Sequence, residues 1–386
     1  MCKRNLVILF GLTALLSFST SFLGWILPIL IKEAGDIALV GWLYFINYLI
    51  VFVPGLMSGI FSDIKGRKPP ILIGLTIAIA GIFPLLMVVN PFILFIFLIC
   101  RSIGGIVVSS PLLAMYAESV ENRWRARVFA ISRMVRLVSM AAGSIILGVI
   151  AGWLSIQVAL KIILMLWVSA FILSLFLTET RKSVEKRYFS IKLQLLSPLK
   201  GASQVILGVG LPLTIIVIVL AIIQPLTSIY LPLHLKEVAG LNLEVLGVFY
   251  ALCGFIDAIS APLAGYVIDR YGERIGYLIY VITVFISYML YLHLVGKVYV
   301  WIALLPLILN SFDSAFSNTA FLSYTSKITS KENRATVFSA YTIINEVCMI
   351  PGPLIGSYLW SINPNLPLLV FASIGLILVP IIMRLK

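Results

Sequence analysis

The chain has 386 residues, of which 61% are hydrophobic and only 11% are charged, and its mean hydropathy is +1.11. Soluble domains carry about a quarter charged residues, so this composition excludes an ordinary soluble protein and indicates an integral membrane protein. The apolar runs are continuous rather than alternating, which favours all-α membrane-spanning structure over a β-barrel. The cysteines are scattered, so we expect neither a disulfide nor a metal site, and no cofactor. They are Cys2, Cys100, Cys253 and Cys348.

Twelve membrane-spanning helices are predicted from the apolar runs. Most of these runs exceed the roughly 20 residues that cross a hydrocarbon layer of ~30 Å. The first run is too long for the apolar core of a signal peptide, so we expect it to be retained as a span. In chain order, the predicted spans are residues 5–31, 39–62, 70–89, 91–117, 128–153, 158–177, 204–233, 243–268, 275–295, 298–325, 335–361 and 366–383.

The net charge of +13 is distributed unevenly between alternate loops. With the N-terminus in the cytoplasm, 21 of the 28 Lys and Arg residues fall in cytoplasmic segments, four fall at or near the external ends of spans and three lie deeper within spans. This bias predicts that both termini are cytoplasmic, in a multi-pass protein of the plasma membrane. It also accounts for most of the charge without nucleic acid. The expected partners are therefore the lipid bilayer and a small-molecule substrate, and one twelve-span chain would suffice as a monomer.

A ten-residue pattern occurs twice and relates the two halves of the chain. It reads GIFSDIKGRK at 59–68 and GYVIDRYGER at 265–274, an offset of 206. Residues 27–33 also match 231–237, and residues 125–130 match 334–339, at offsets of 204 and 209. Duplication of this kind in a membrane chain is typical of secondary transporters. We predict two pseudo-symmetric six-helix bundles, residues 1–177 and 204–386, joined by a basic linker at 178–203.

The repeated loop resembles the signature of the major facilitator superfamily, which stands between spans 2 and 3. Its second copy falls between spans 8 and 9, as the family pattern expects, and the segment from Arg101 to Gly105 resembles a second family motif. The resemblance covers essentially the whole chain. It implies the twelve-helix fold of that family and a carrier that works by alternating access, with two halves that rock about a central site. Many drug/proton antiporters of the family carry a Gly-Pro element in span 5, and residues 143–148 lack its Pro.

In the fold that the resemblance implies, the repeated loops form a conformational latch between the halves. Asp63 would face the start of span 11 near Arg334, where unpaired backbone amides attract an anion. Arg67 would reach Glu118, and Asp269 would face the start of span 5 near Arg125 and Arg127. In the second copy Glu273 replaces the Arg, which weakens the case for a second latch. The predicted latch residues are Gly59, Asp63, Gly66, Arg67, Glu118, Gly265, Asp269, Gly272 and Arg334. Alternatively, these charges only mark orientation and cap a turn.

Ionisable residues deep in a bilayer are costly and usually functional. Here they divide by sign, with arginines in the N-terminal half and carboxylates in the C-terminal half. Our candidates for binding the substrate or a coupling proton are Arg101, Arg136, Asp257, Asn310, Asp313, Asn345 and Glu346. Asp313 is the first candidate for the proton and Glu346 the second, because burial favours a protonated carboxyl and a nearby cation favours an ionised one. Alternatively, each pairs with an arginine and holds the bundle together. His234 and His293 are expected to be interfacial polar residues.

The sequence therefore predicts secondary active transport of a small organic solute, coupled to protons. Three arginines within the spans of one half, with Arg133 the third, favour an anionic or polar solute. The 12% aromatic content suits the alternative, efflux of hydrophobic compounds, although the absent Pro in span 5 argues against it. A non-transporting sensor is a further alternative. We do not expect an enzyme, because neither a phosphate-binding loop nor a metal-binding His-Glu-His helix is present.

Overall fold

The computed structural model describes residues 3–121, 124–180, 210–329 and 334–385, and the chain within these ranges is folded into helices joined by short connections. Most of the predicted linker lies outside the described residues. The first six helices are each continuous. They are α1 (Lys3–Ala34), α2 (Ile37–Lys65), α3 (Lys68–Met87), α4 (Pro91–Glu118), α5 (Arg125–Trp153) and α6 (Ile156–Leu175).

The later spans are more often interrupted. Four of the six consist of two consecutive helices, and only α9 and α10 run unbroken. The helices are α7 (Leu211–Ser228), α8 (Tyr230–Glu237), α9 (Leu243–Tyr271), α10 (Glu273–Leu294), α11 (Val300–Asn310), α12 (Asp313–Ile328), α13 (Arg334–Met349), α14 (Gly352–Ile362), α15 (Leu366–Ile377) and α16 (Val379–Ile382). These bounds confirm the twelve predicted spans, with ends that differ by a few residues.

Proline explains some of these interruptions and not others. Pro351 and Pro380 lie at the α13–α14 and α15–α16 junctions, where each removes a backbone donor. The α11–α12 junction contains no proline. There the Ser311 amide bonds to the carbonyl of Ile308 at 3.2 Å, and its hydroxyl bonds to the carbonyl of Leu307 at 3.2 Å. A tightened turn and a serine that satisfies a backbone carbonyl therefore end α11 in the middle of a span.

Helix starts in the first half follow from local capping chemistry. The side chains of Asp36 and Asn90 each accept a hydrogen bond of 2.8 Å from the amide three residues later. Ser155 caps α6 in the same way, at 3.3 Å. Such side chains replace the partners that the first amides of a helix lack, so short polar loops suffice between long apolar helices.

The repeated pattern has the same backbone geometry in both copies. Gly66 lies between α2 and α3 with φ of 93° and ψ of 173°, and Gly272 lies between α9 and α10 with φ of 87° and ψ of 166°. Only glycine adopts this region without strain. The second glycine of the pattern is therefore required by the turn, and the offset of 206 reflects a structural repeat.

The described residues form two compact units. The N-terminal unit contains 3–180 and 241–251, and the C-terminal unit contains 210–240 and 252–385. Each has its own buried core. The core of the N-terminal unit includes Leu9, Leu75 and Met115. The core of the C-terminal unit includes Ile216, Val281 and Tyr324. Large apolar side chains are also exposed, among them Met87, Trp153 and Phe92. Within the described ranges, ten helical segments are long and apolar enough to cross a membrane, so we attribute these exposed side chains to contact with lipid.

Candidate functional site

A cavity of about 550 Å³ lies wholly within the C-terminal unit. It is bounded by α7, α10, α12, α13 and α15. Its lining combines aromatic rings, amides and hydroxyls. The lining residues include Gln224, Thr227, Tyr277, Tyr280, Tyr288, Asp313, Ser314, Ser317, Asn318, Phe321, Tyr341, Asn345 and Phe371. Among the described residues that line it, Asp313 is the one carboxylate, and none is Lys, Arg or His.

Asp313 is the first residue of α12 and lies near the middle of the span Val300–Ile328. The amide of Asn310 donates a hydrogen bond of 2.8 Å to its Oδ2. Asn310 is buried, and its own Oδ1 has no partner among the described residues. The sequence predicts a continuous helix here, whereas the structure breaks the helix between these two residues. The break allows the amide of Asn310 to reach the carboxylate of Asp313 across the turn.

Asp257 on α9 is the second carboxylate of this region. Its Oδ1 accepts a hydrogen bond of 2.5 Å from the hydroxyl of Ser314. Asp257 does not line the cavity, but its charge acts on Asp313. Two carboxylates of like charge are therefore held near each other by neutral hydrogen-bond donors.

A tyrosine face on α10 completes the cavity, and the sequence analysis did not identify it. Tyr277, Tyr280 and Tyr288 all line the cavity, and the last two lie close enough to Asp313 to interact with its charge. The spacing of three and then eight residues places them on one side of a helix, so periodicity could have revealed this face. It did not stand out because tyrosine is also common among interfacial residues.

Two further predicted residues of this unit, Asn345 and Glu346, lie in different surroundings. Asn345 on α13 lines the cavity. Glu346 is the next residue, is exposed and does not line the cavity. One residue of a helix turns the side chain by about 100°, which is why neighbours in sequence face different surroundings.

Arg101 of the N-terminal unit lies on α4 and is half-buried. Tyr44 and Tyr48 on α2 are near enough to interact electrostatically with its guanidinium. Asn47, which lies between these tyrosines in sequence, is buried, and its Oδ1 has no partner among the described residues. Arg136 on α5 is exposed. The structure thus gives Arg101 a polar, partly buried setting and leaves Arg136 at a surface.

The first copy of the repeated pattern contains an ion pair within the N-terminal unit. The guanidinium of Arg67 donates to Oε1 of Glu118 at 2.8 and 3.0 Å, and to the hydroxyl of Ser62 at 3.0 Å. Glu179, just after α6, accepts from the backbone amides of Arg67 and Lys68 at 2.9 and 3.0 Å. The predicted contact between Arg67 and Glu118 is therefore present, with an additional carboxylate at the start of α3.

The second copy has an ion pair of opposite polarity. Glu273 takes the place of Arg67 at an offset of 206, and Lys327 takes the place of Glu118 at an offset of 209. Oε2 of Glu273 accepts from the Lys327 ammonium at 2.8 Å, and Oε1 accepts from Ser323 at 2.6 Å. The replacement of Arg by Glu is thus compensated by a lysine 54 residues later. The repeated pattern does not reveal this compensation, because the lysine lies 54 residues away from the glutamate in the sequence.

The remaining latch residues are described in part. The side chains of Asp63, Arg125 and Arg334 lie outside what the structure describes, and Asp269 is exposed at the end of α9. The contacts predicted between the two halves stay predictions.

His234 is predicted to be an interfacial polar residue, whereas the structure buries its side chain completely. Its Nδ1 lies 2.8 Å from the hydroxyl of Tyr291, and its Nε2 lies 2.7 Å from Oδ1 of Asn365. The amide oxygen accepts, so Nε2 donates, and Nδ1 accepts from the tyrosine. The neutral imidazole thereby satisfies both partners, and the histidine joins α8, α10 and the connection before α15.

Comparison with known proteins agrees with this architecture. A family model for the Major Facilitator Superfamily matches residues 9–353 and, in a second match, 257–385. The chain belongs to the Major Facilitator Superfamily. No match was found among curated protein sequences.

Solved transporter structures share this Major Facilitator Superfamily fold. A mutant of the nucleoside transporter NupG is 15% identical with a TM-score of 0.80, over 99% of this chain and 98% of that one. A mutant of the peptide transporter POT with sulfate is 15% identical with a TM-score of 0.79, over 98% and 94%. The human organic anion transporter MFSD10 (TETRAN) is 17% identical with a TM-score of 0.66, over 98% and 99%. At these identities the likeness shows the fold alone. Family and fold together indicate a membrane transporter rather than an enzyme.

Proposed function

We propose that this protein is a secondary active carrier that moves a small organic solute by alternating access, with proton coupling through Asp313. The observation that carries this proposal is the cavity of the C-terminal unit, whose described lining contains a single carboxylate, at a mid-span helix break. A cavity of this volume suits a small organic molecule. Broken helices at the centre of a membrane are typical of the binding sites of transporters.

The setting of Asp313 supports a role in coupling. Its carboxylate accepts a hydrogen bond from the neutral amide of Asn310, and the charge that acts on it is the like charge of Asp257. Within the C-terminal unit, no described Lys, Arg or His lines the cavity to compensate that charge. Because an ionised carboxylate in such surroundings is costly, binding a proton relieves the cost. A group that gains a proton in one state and releases it in another can couple transport to a pH gradient.

Efflux of hydrophobic compounds is a second candidate function, and the lining of the cavity supports it. Tyr277, Tyr280, Tyr288, Phe321 and Phe371 supply aromatic surface that could hold an apolar body. The arginines that favour an anionic solute, Arg101, Arg133 and Arg136, do not line this cavity.

Transport by purified protein in liposomes tests the proposal. A pH gradient is imposed across vesicles that contain a pH-sensitive dye, and organic anions, sugars, nucleosides and amines are added in turn. We expect one class to drive proton flux in the wild-type protein. Asp313→Asn should retain exchange of that solute and lose accumulation driven by the pH gradient.

The matched control is Glu33→Gln, which also converts a carboxylate to an amide, at an exposed position near the end of α1 and outside the cavity. It should leave pH-driven accumulation unchanged. Full accumulation by Asp313→Asn would remove Asp313 from the coupling step. Absence of flux for every solute class would contradict proton-coupled transport itself.

A further inference from the structure

We propose that the C-terminal cavity recognises an organic ammonium group, which Asp313 holds against the tyrosine face of α10. This inference rests on the proposed function, because it assumes that the cavity holds the transported solute. It specifies the chemical class of that solute as a protonated amine that carries an aromatic or apolar body. The charge, the aromatic rings and the polar rim of the cavity each contribute to the argument.

The charge of the lining favours a cation. Asp313 is the one carboxylate among the described lining residues, and the nearby Asp257 adds negative potential. No lining Lys, Arg or His is available in the described part of this unit to receive a carboxylate or phosphate. An anion in the cavity would meet repulsion without compensation, whereas an ammonium group would provide the missing counter-charge.

Aromatic rings share the cavity with the carboxylate. Tyr280 and Tyr288 line it together with Asp313, so their rings are available to a cation that the carboxylate binds. Tyr288 packs edge-on against Phe371, with ring centroids 5.3 Å apart. Aromatic faces attract cations through the ring quadrupole, and the attraction increases where water is excluded. The same rings offer apolar surface to the remainder of the solute.

Neutral oxygen atoms on the cavity wall complement the N–H groups of an amine. A primary ammonium donates up to three hydrogen bonds, and one carboxylate seldom accepts all of them. Ser314 and Ser317 lie on the same helix as Asp313, and Asn345 faces the cavity from α13. These side chains can accept the remaining hydrogen bonds. They supply no positive charge that would compete with the ligand.

An ammonium group and a proton would compete for the same carboxylate. Asp313 cannot be protonated and also form an ion pair, so binding of one releases the other. Exchange of a proton for an amine follows from this competition without a second coupling site. Among the described residues, the titratable groups that act on Asp313 are Asp257 and Cys253 from α9 and Tyr280 and Tyr288 from α10. Tyr277 from α10 and Tyr341 from α13 also line the cavity. Of these, only Asp257 is a carboxyl.

Three probes of similar size and different charge test the inference. They are 2-phenylethylamine, which is cationic at pH 7, 2-phenylethanol, which is neutral, and phenylacetate, which is anionic. Binding to the purified full-length protein is measured by calorimetric titration. We expect the amine to bind at least about ten-fold more tightly than the other two, a ratio that corresponds to one charge-assisted contact. Equal or tighter binding of phenylacetate would overturn the inference.

Variants locate the contact within the cavity. Asp313→Asn should weaken binding of the amine about ten-fold or more and leave binding of the alcohol within about two-fold, while Glu33→Gln should change neither. Tyr280→Leu should weaken binding of the amine by about three-fold or more, and Tyr280→Phe should restore most of it, because phenylalanine retains the ring. Amine affinity that is unchanged in both Asp313→Asn and Tyr280→Leu would refute the site. Elution as a single species on size exclusion verifies the fold of each variant.

The experiments distinguish failure of this inference from failure of the proposed transport function. If vesicles transport a sugar or an anion with proton flux and the amine does not bind, the inference fails and the carrier function stands. If the amine binds through Asp313 but no solute crosses the membrane, the ligand class stands and transport fails. Lowering the pH provides a further test, since amine affinity should fall in the wild-type protein and stay constant in Asp313→Asn.

Discussion

Single residues of this transporter acquire their roles from what surrounds them within one unit. Arg101 and Arg136 look alike in sequence, since both are arginines in the middle of predicted spans. The structure places Arg101 beside the tyrosines of α2 and leaves Arg136 exposed. Asp313 and Glu346 differ in the same way, because only Asp313 lines the cavity. Depth in the membrane is therefore insufficient to identify a functional charge.

Replacement of Arg101 by Ala should abolish transport while the protein still inserts and folds. The guanidinium is a half-buried cation in a polar setting of the N-terminal unit, and its loss removes the charge together with its planar donors. Arg101→Lys should recover only part of the activity. Uptake into vesicles measures the effect, and Arg136→Ala is the comparison. Near-normal uptake by Arg101→Ala would remove this residue from the transport site.

Replacement of His234 by Leu should destabilise the C-terminal unit. It leaves the hydroxyl of Tyr291 and the side chain of Asn365 without their imidazole partner. Loss of a buried hydrogen-bond partner costs about 1–3 kcal/mol, so the thermal midpoint in detergent should fall by several degrees. His293→Leu is the matched control, because that histidine is exposed. An equal midpoint for the two variants would contradict the structural role of His234.

At the scale of helices, each unit has an ion pair at the same place in the repeat, and the two pairs have opposite polarity. In the N-terminal unit a cation at the start of α3 meets a carboxylate at the end of α4. In the C-terminal unit a carboxylate at the start of α10 meets a cation at the end of α12. The geometry of the repeat has been retained, while the sign of each partner has been exchanged. Each pair holds its own helix ends together, since each lies within one unit.

Reversal of one charge in the second pair should be harmful, and reversal of both should be tolerated. Glu273→Lys would place two ammonium groups side by side at a position where Glu273 is only 6% exposed. We expect a loss of about 1–2 kcal/mol, limited because Lys327 is mostly exposed. The double variant Glu273→Lys with Lys327→Glu should recover most of the loss. Thermal unfolding of the single and double variants measures the coupling, and additive losses would contradict the pairing.

At the scale of the whole molecule, the repeat predicts how the carrier changes state. The predicted latch involves Asp63 in the first copy and Asp269 in the second, and each lies in the last turn of a long apolar helix. The rocking of two halves is a property that the family resemblance implies. The described contacts within each unit are consistent with two bodies that keep their own internal packing.

Asp63→Asn should weaken transport and shift the population of states. In the predicted latch, loss of the anion would remove its attraction to helix N-terminal amides. That attraction is worth about 0.3–1 kcal/mol at an exposed site and up to about 2 kcal/mol when partly buried. Labelling of single introduced cysteines from each side of the membrane should move towards the inward-open pattern. Asp269→Asn should have a smaller effect, because Glu273 replaces the arginine of the pattern. Unchanged labelling of Asp63→Asn would refute the latch.

The sequence by itself determined the twelve spans, the repeated turn and the family. Each depends on properties that are local or periodic, namely runs of apolar residues, a glycine at a turn and a fixed offset between copies. It also drew attention to Asp313 and Asn345, which line the C-terminal cavity, because polar side chains are conspicuous within an apolar span.

Only the tertiary structure decided which charges meet. The pairing of Glu273 with Lys327, the burial of His234 and the tyrosine face around Asp313 depend on contacts between helices that are distant in sequence. The break between Asn310 and Asp313 was also invisible, since no proline marks it and a serine that bonds to the backbone carbonyl of Leu307 helps to produce it. Composition reveals that a residue is polar, whereas packing determines which partner it has.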